Sequence, residues 1–117
     1  MAVVADTDEE LARGRDAMRP RLAFYGSTPA YRVILDVHGW GGLQPELNRL
    51  SKTGDWAAMS ALITDEMVDA FSVQGTPDTV GAIVRERYGD LVQRISFDTS
   101  ARLDRSRVER VLAGLRA

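Results

Sequence analysis

At 117 residues, 44% hydrophobic and 27% charged, the chain has the composition of one soluble globular domain over residues 1–117, not of a disordered segment. A net charge of -2, with no basic run interleaved by aromatics, excludes a nucleic-acid surface, because phosphate binding needs a concentrated positive field. The absence of cysteine excludes disulfides, thiolate metal sites and a cysteine nucleophile, and no apolar run approaches the length that spans a membrane.

The first residues, MAVVADTDEELARG, lack the basic start of a signal peptide, so a cytoplasmic protein is expected. Thr7 and Glu10 have the spacing of a capping box, which predicts a helix beginning there, with Leu11, Ala12, Met18, Leu22 and Phe24 as its apolar stripe. Pro20 removes a backbone donor inside that helix and predicts a kink or a division in two. Thr28 followed by Pro29 predicts a second helix start, with Tyr31, Ile34, Leu35 and His38 roughly on one side and Gly39 closing it. The glycine-rich loop HGWGGL, residues 38–43, lacks the lysine of a P-loop and the preceding strand of a dinucleotide fingerprint. It reads as a helix-to-helix turn anchored by Trp40.

Pro45, Leu47 and Leu50 mark a short helix that Gly54 caps. Asp55 caps the next, whose broad apolar face, from Trp56 through Met59, Leu62, Ile63, Met67 and Val68 to Phe71, reads as core. Asp65, Glu66 and Asp69 could flank a metal or act as an acid/base pair, but with no histidine nearby they read as a solvated helix face.

Residues 71–98 read as a turn, a helix and a strand. Gly75 allows a tight turn, Thr76 is placed as N-cap, Pro77 suits the first helical position and Asp78 complements the helix dipole. Val80, Ile83, Val84 and Tyr88 recur at helical spacing, Gly89 caps them, and residues 91–97 carry the β-branched and aromatic side chains of a strand. After Asp98, Thr99 and Ser100, a final amphipathic helix runs through Leu103, Val108, Val111, Leu112 and Leu115, with Arg105, Arg107 and Arg110 towards solvent. A lone strand leaves its backbone groups unpaired on both edges. Residues 91–97 therefore need partners, from residues 2–5 or 70–74, or from another copy or another polypeptide.

The stretches FYGSTPAYRVILDVHGWGGLQPELNRLSKTGDWAAM and LITDEMVDAFSVQGTPDTVGAIVRERYGDLVQRISF resemble the C-terminal part of luciferase-like flavin or deazaflavin oxidoreductases. The resemblance implies an α/β fold, the predominantly helical C-terminal portion of a (β/α)8 TIM-type barrel, with five or six helices and one or two strands. In it, residues 91–97 stand for the last barrel strand. A complete barrel takes about 250 residues. The resemblance thus implies a fragment or subunit, with a homo-oligomer or a partner chain supplying the missing strands. Its implied chemistry is hydride transfer between a deazaflavin coenzyme (coenzyme F-420) or FMN and an organic substrate.

Within this frame His38 and Trp40 are the candidates for a wall of the substrate pocket. His38 is the single histidine, suited to proton transfer beside a substrate oxygen, and equally suited to bonding the last carbonyls of its helix or to simple solvation. Trp40 can stack on a ring or fill the core. The alternative function is a noncatalytic helical module whose apolar faces are buried between copies.

Overall fold

The computed structural model describes residues 1–96 and 103–117, which form two compact units. One comprises Met1–Gly14 with Ser72–Ala117, the other Arg15–Phe71. Among the described residues there are two strands, seven α-helices and one 3-10 helix.

The first unit is organised by strands β1 (Ala2–Val4) and β2 (Val73–Gly75), which pair in parallel with Val3 opposite Gln74. Ala5 and Val73 extend the ladder by donating to the carbonyls of Gly75 and Met1, at 3.0 and 2.9 Å. Helix α1 (Asp8–Ser27) starts in this unit, where the Thr7 hydroxyl accepts from the Glu10 amide at 3.1 Å. The Glu10 carboxylate reaches back to the amide of Asp6 at 3.0 Å, one residue earlier than a regular capping box places it. Gly14 lies against Val3, where any side chain would strike the valine.

Helices α6 (Val80–Tyr88) and α7 (Arg105–Arg116) complete the unit. Val73, Val80 and Val111 form its core, and Val4, Ile83, Val84, Tyr88 and Leu115 pack around them. The regular part of α6 begins four residues after Thr76. Residues 76–79 form a turn in which Thr79 and Val80 donate to the Thr76 carbonyl, and the Thr76 amide is held by the Thr79 hydroxyl at 2.9 Å.

The strand expected over residues 91–97 is absent from the described part of that segment. Leu91 and Val92 both donate to the Tyr88 carbonyl, at 2.8 and 3.0 Å, and the backbone beyond is irregular, with Leu91 77% exposed. A strand persists only with ladder partners. The two segments proposed to supply them pair with each other instead. Phe97 and residues 98–100 lie outside the described residues.

The second unit holds the rest of α1, the 3-10 turn Pro29–Tyr31, and helices α2 (Arg32–Asp36), α3 (Leu43–Thr53), α4 (Trp56–Ala61) and α5 (Asp65–Phe71). Pro20 does not divide α1, which is continuous through it. Met18, Leu22, Leu35, Leu47, Leu50, Met59, Ile63, Met67 and Val68 are buried as its core. Two αL glycines punctuate the unit. At Gly39 (φ 78°) the amides of Gly39 and Trp40 donate to Asp36 and Leu35, and at Gly54 (φ 72°) those of Gly54 and Asp55 donate to Ser51 and Leu50. Both are Schellman closures, in which a left-handed residue satisfies the last helical carbonyls.

The single long helix expected from Asp55 to Phe71 is two. Asp55 caps α4 by accepting from Ala58 at 3.1 Å, and the Thr64 hydroxyl, accepting from Met67 at 3.3 Å, starts α5. Trp56, the first residue of α4, is 54% exposed instead of in the core.

Arginines join elements within each unit, Arg107 and Arg110 among them, which the sequence reading had turned towards solvent. In the second unit Arg15 pairs with Asp69 and Asp65, and Arg19 with Asp65 and Asp16, while Arg19 also donates to the Ile63 carbonyl. In the first, Arg107 of α7 reaches Asp6 (3.0 Å) and Glu10 (3.1 Å), and Arg110 grips Asp78 through both its Nε (2.8 Å) and a terminal nitrogen.

These contacts hold three carboxyls below their ordinary range. Glu10 is lowered chiefly by the Asp6 amide and then by Arg107, Asp65 by Arg19, and Asp78 by Arg110. A group that is more acidic in the folded chain contributes stability above its unfolded pKa and loses it as pH falls through the folded value. Urea midpoints should therefore be flat at neutral pH and drop below about pH 4. Arg107→Ala should flatten part of that drop. An unchanged acid limb in this variant would show that the Glu10 contact does not contribute.

Candidate functional site

The candidate site is the loop between α2 and α3, residues 37–42, with the end of α5. The Schellman closure at Gly39 reverses the chain so that His38 and Trp40, on either side of it, come face to face. Their rings stack with centroids 4.7 Å apart and planes 17° apart. Phe71, the last residue of α5, meets both edge-on, at 5.3 Å and 82° to His38 and at 6.0 Å and 68° to Trp40. The offset stack and the two edge contacts are the arrangements that aromatic quadrupoles favour.

Burial grades across the cluster. His38 is exposed, Trp40 and Phe71 are half-buried, and Leu35, whose carbonyl accepts from the His38 and Trp40 amides, is buried. The Asp36 carboxylate, paired with Arg32, lies where a side chain at Gly41 would have to go. Gly41 is buried, and a side chain there would have to displace the Asp36 carboxylate. The result is an aromatic surface with one imidazole edge towards solvent. It can offer a ring face for stacking and a nitrogen for a hydrogen bond.

Both residues singled out in the sequence are thus brought together. Phe71 was read there only as core. Its role in the cluster depends on α5 ending beside the loop, which helical periodicity alone does not reveal.

The other candidate sites carry different contacts. Asp65 and Asp69 are committed to Arg15 and Arg19. At the start of α6, the place a phosphate would be bound through free amides, the Thr76 amide is donated to Thr79 and Asp78 supplies a carboxylate bound to Arg110. No group of three metal-binding side chains occurs among the described residues, and no described helix is long and apolar enough to cross a membrane.

A family model described as luciferase-like monooxygenase matches residues 1–94, which include the whole aromatic cluster and both strands. The chain belongs to this family. Uncharacterised proteins of Mycobacterium tuberculosis and Mycobacterium bovis are each 52% identical to this luciferase-like chain over 95 residues, 81% of its length and 28% of theirs. A 5,10-methylenetetrahydromethanopterin reductase of Archaeoglobus fulgidus is 32% identical over 114 residues, 92% of this chain and 29% of the reductase. The chain thus spans less than a third of the curated relatives it matches. No solved structure matches it. Helix α7 lies beyond the residues that the luciferase-like family model matches.

Proposed function

We propose that the chain is part of a luciferase-like oxidoreductase, the C-terminal portion of a (β/α)8 barrel, in which hydride passes between a deazaflavin or flavin coenzyme and an organic substrate. The family match across residues 1–94 carries this reading. The parallel β1–β2 pair, with helices following each strand, is the local arrangement such barrels repeat. The reductase name of the archaeal relative supports redox chemistry in the same family.

Both coenzyme types carry phosphate, and the start of α6 does not fit one, because its amide is spent on Thr79 and its carboxylate would repel an anion. Coenzyme binding in this reading belongs to the assembled protein. The coenzyme supplies the hydride chemistry. This chain's own contribution is on the substrate side. Trp40, backed by Phe71, presents an apolar wall, and His38 places an imidazole nitrogen at its solvent edge to orient a substrate oxygen.

The test is a tryptophan-fluorescence titration with the deazaflavin coenzyme and with FMN, run beside a light-scattering mass. Saturable binding of either by the assembled protein is expected, and because Trp40 stands on the substrate side Trp40→Ala should change it by less than about twofold. A well-folded assembly, as judged by its light-scattering mass, that binds neither ligand would overturn the reading. One observation favours a second reading, a noncatalytic oligomerisation module, in that event. It is the apolar outer face of α2, where Val33 and Val37 are 64% and 79% exposed.

A further inference from the structure

Beside the aromatic cluster stands an arginine whose donors are not spent. Elsewhere in the second unit Arg15, Arg19 and Arg49 each hydrogen-bond a carboxylate, on Asp69, Asp65 and Glu46. Arg32 instead has its Nε 3.7 Å from Asp36, too long for a hydrogen bond. Among the described residues no group bonds its terminal nitrogens, and its side chain is 48% exposed. A guanidinium carries five N–H donors in a flat fork that matches an acidic group with two oxygens.

The place of this fork ties it to the cluster. Arg32 Nε lies 3.5 Å from where a Cβ on Gly41 would stand, and Gly41 directly follows Trp40. Successive Cα atoms are about 3.8 Å apart, so the fork begins within roughly 9 Å of the Trp40 Cα. His38, exposed and stacked on Trp40, is the outer layer of the cluster. A flat ring laid on that layer, with an acidic group turned towards Gly41, spans both features. Asp36 stands at the same spot and shares the charge of Arg32. A half-exposed pair at this distance holds little energy, so a carboxylate arriving there competes with a weak partner.

We propose that this chain takes a planar organic acid, its ring stacked on His38 and Trp40 and its carboxylate held by Arg32, with Asp36 as the internal competitor. The proposal rests on the reading of His38 and Trp40 as the substrate wall, and names the class of substrate. The two contacts divide the recognition. Stacking accepts any flat ring, and the arginine selects rings that carry negative charge.

His38 is the single histidine, so its imidazole proton signals in an NMR spectrum of the untagged chain report on the site directly. The probes are naphthoate, neutral naphthamide, acetate and FMN at matched pH, with circular dichroism confirming the fold of each variant. Naphthoate should shift the His38 signals saturably and bind more tightly than naphthamide, while acetate at the same concentration leaves them in place. Arg32→Gln should weaken naphthoate roughly five- to tenfold and leave naphthamide unchanged. Asp36→Asn removes the competing charge and should tighten naphthoate at least about twofold, which a purely structural role for the pair does not produce. That variant also decides the matter should Arg32→Gln fail to fold. Equal affinity for the acid and the amide, or naphthoate binding unmoved by either substitution, would overturn the proposal. Displacement of naphthoate by FMN would assign the site to the coenzyme and overturn it too. An intact naphthoate response in a protein that binds neither coenzyme would uphold the site while removing the oxidoreductase reading. Coenzyme binding with no His38 response to naphthoate would remove this proposal alone.

Discussion

Leu47→Ala should destabilise the unit formed by Arg15–Phe71 by about 2–5 kcal/mol, the range for removing a large aliphatic side chain from a packed core. Leu47 is 0% exposed, and its Cδ1 would sit 3.0 Å from a Cβ at Gly26 of α1, so it fills the space that Gly26 leaves open. That contact makes a double-mutant cycle informative. Gly26→Ala alone gains about 1 kcal/mol of helix propensity but overpacks against Leu47. In the Leu47→Ala background the added methyl keeps only an ordinary contact with Leu35 Cδ1, at 3.7 Å, and should recover part of the loss. A coupling of about 0.5–3 kcal/mol is expected between the two sites. Trp40 and Trp56 both lie in this unit, so urea unfolding followed by tryptophan fluorescence reports on it directly. A loss under about 1 kcal/mol would mean that α1 and α3 collapse into the vacated space.

What could be read in the sequence was largely local chemistry. The Thr7 cap, the Gly54 closure and the Asp55 cap each depend on a few adjacent residues, and each is present. The candidate aromatic pair was legible for the same reason. His38 and Trp40 flank a glycine, and the turn that glycine permits brings them face to face. Thr64, with two acidic residues following it, is also a local helix-start signal. It was overlooked because the apolar periodicity runs unbroken across it from Met59 to Met67.

Failures came where structure depends on distant partners. Residues 91–96 have strand composition, yet a strand is a property of a pair, and the ladder formed between β1 and β2. Arg107 and Arg110 look solvated on a helical wheel. Their destinations, Asp6, Glu10 and Asp78, lie far away in sequence and become neighbours only when α7 packs on α6. Phe71 escaped notice as a site residue because its partners are on another helix-to-helix loop.

Gly81→Ala should loosen α7 from the first unit and cost about 1–3 kcal/mol, against the usual gain from placing alanine in a helix. At this crossing α6 and α7 touch backbone to backbone. A Cβ on Gly81 would lie 2.5 Å from the Gly114 carbonyl carbon and 2.6 Å from the Leu115 nitrogen. Neither atom belongs to a side chain that can rotate away, so the helices must separate. Separation pulls Val111 from its contact with Val80 and Val73, and lengthens the Arg110–Asp78 pair. The reciprocal change is milder. A Cβ on Gly114 is tight only against the Gly81 Cα, at 3.3 Å, which a shift of a few tenths of an ångström relieves, while the Gly81 nitrogen at 3.6 Å and the Asp78 carbonyl at 3.7 Å are ordinary contacts. Gly114→Ala should therefore be close to neutral, its propensity gain offsetting the contact. Amide hydrogen exchange over residues 105–116 measures both effects. Faster exchange in Gly81→Ala with near-normal protection in Gly114→Ala is the expected pattern, and equal protection in the two would show that the backbone crossing does not hold α7 in place.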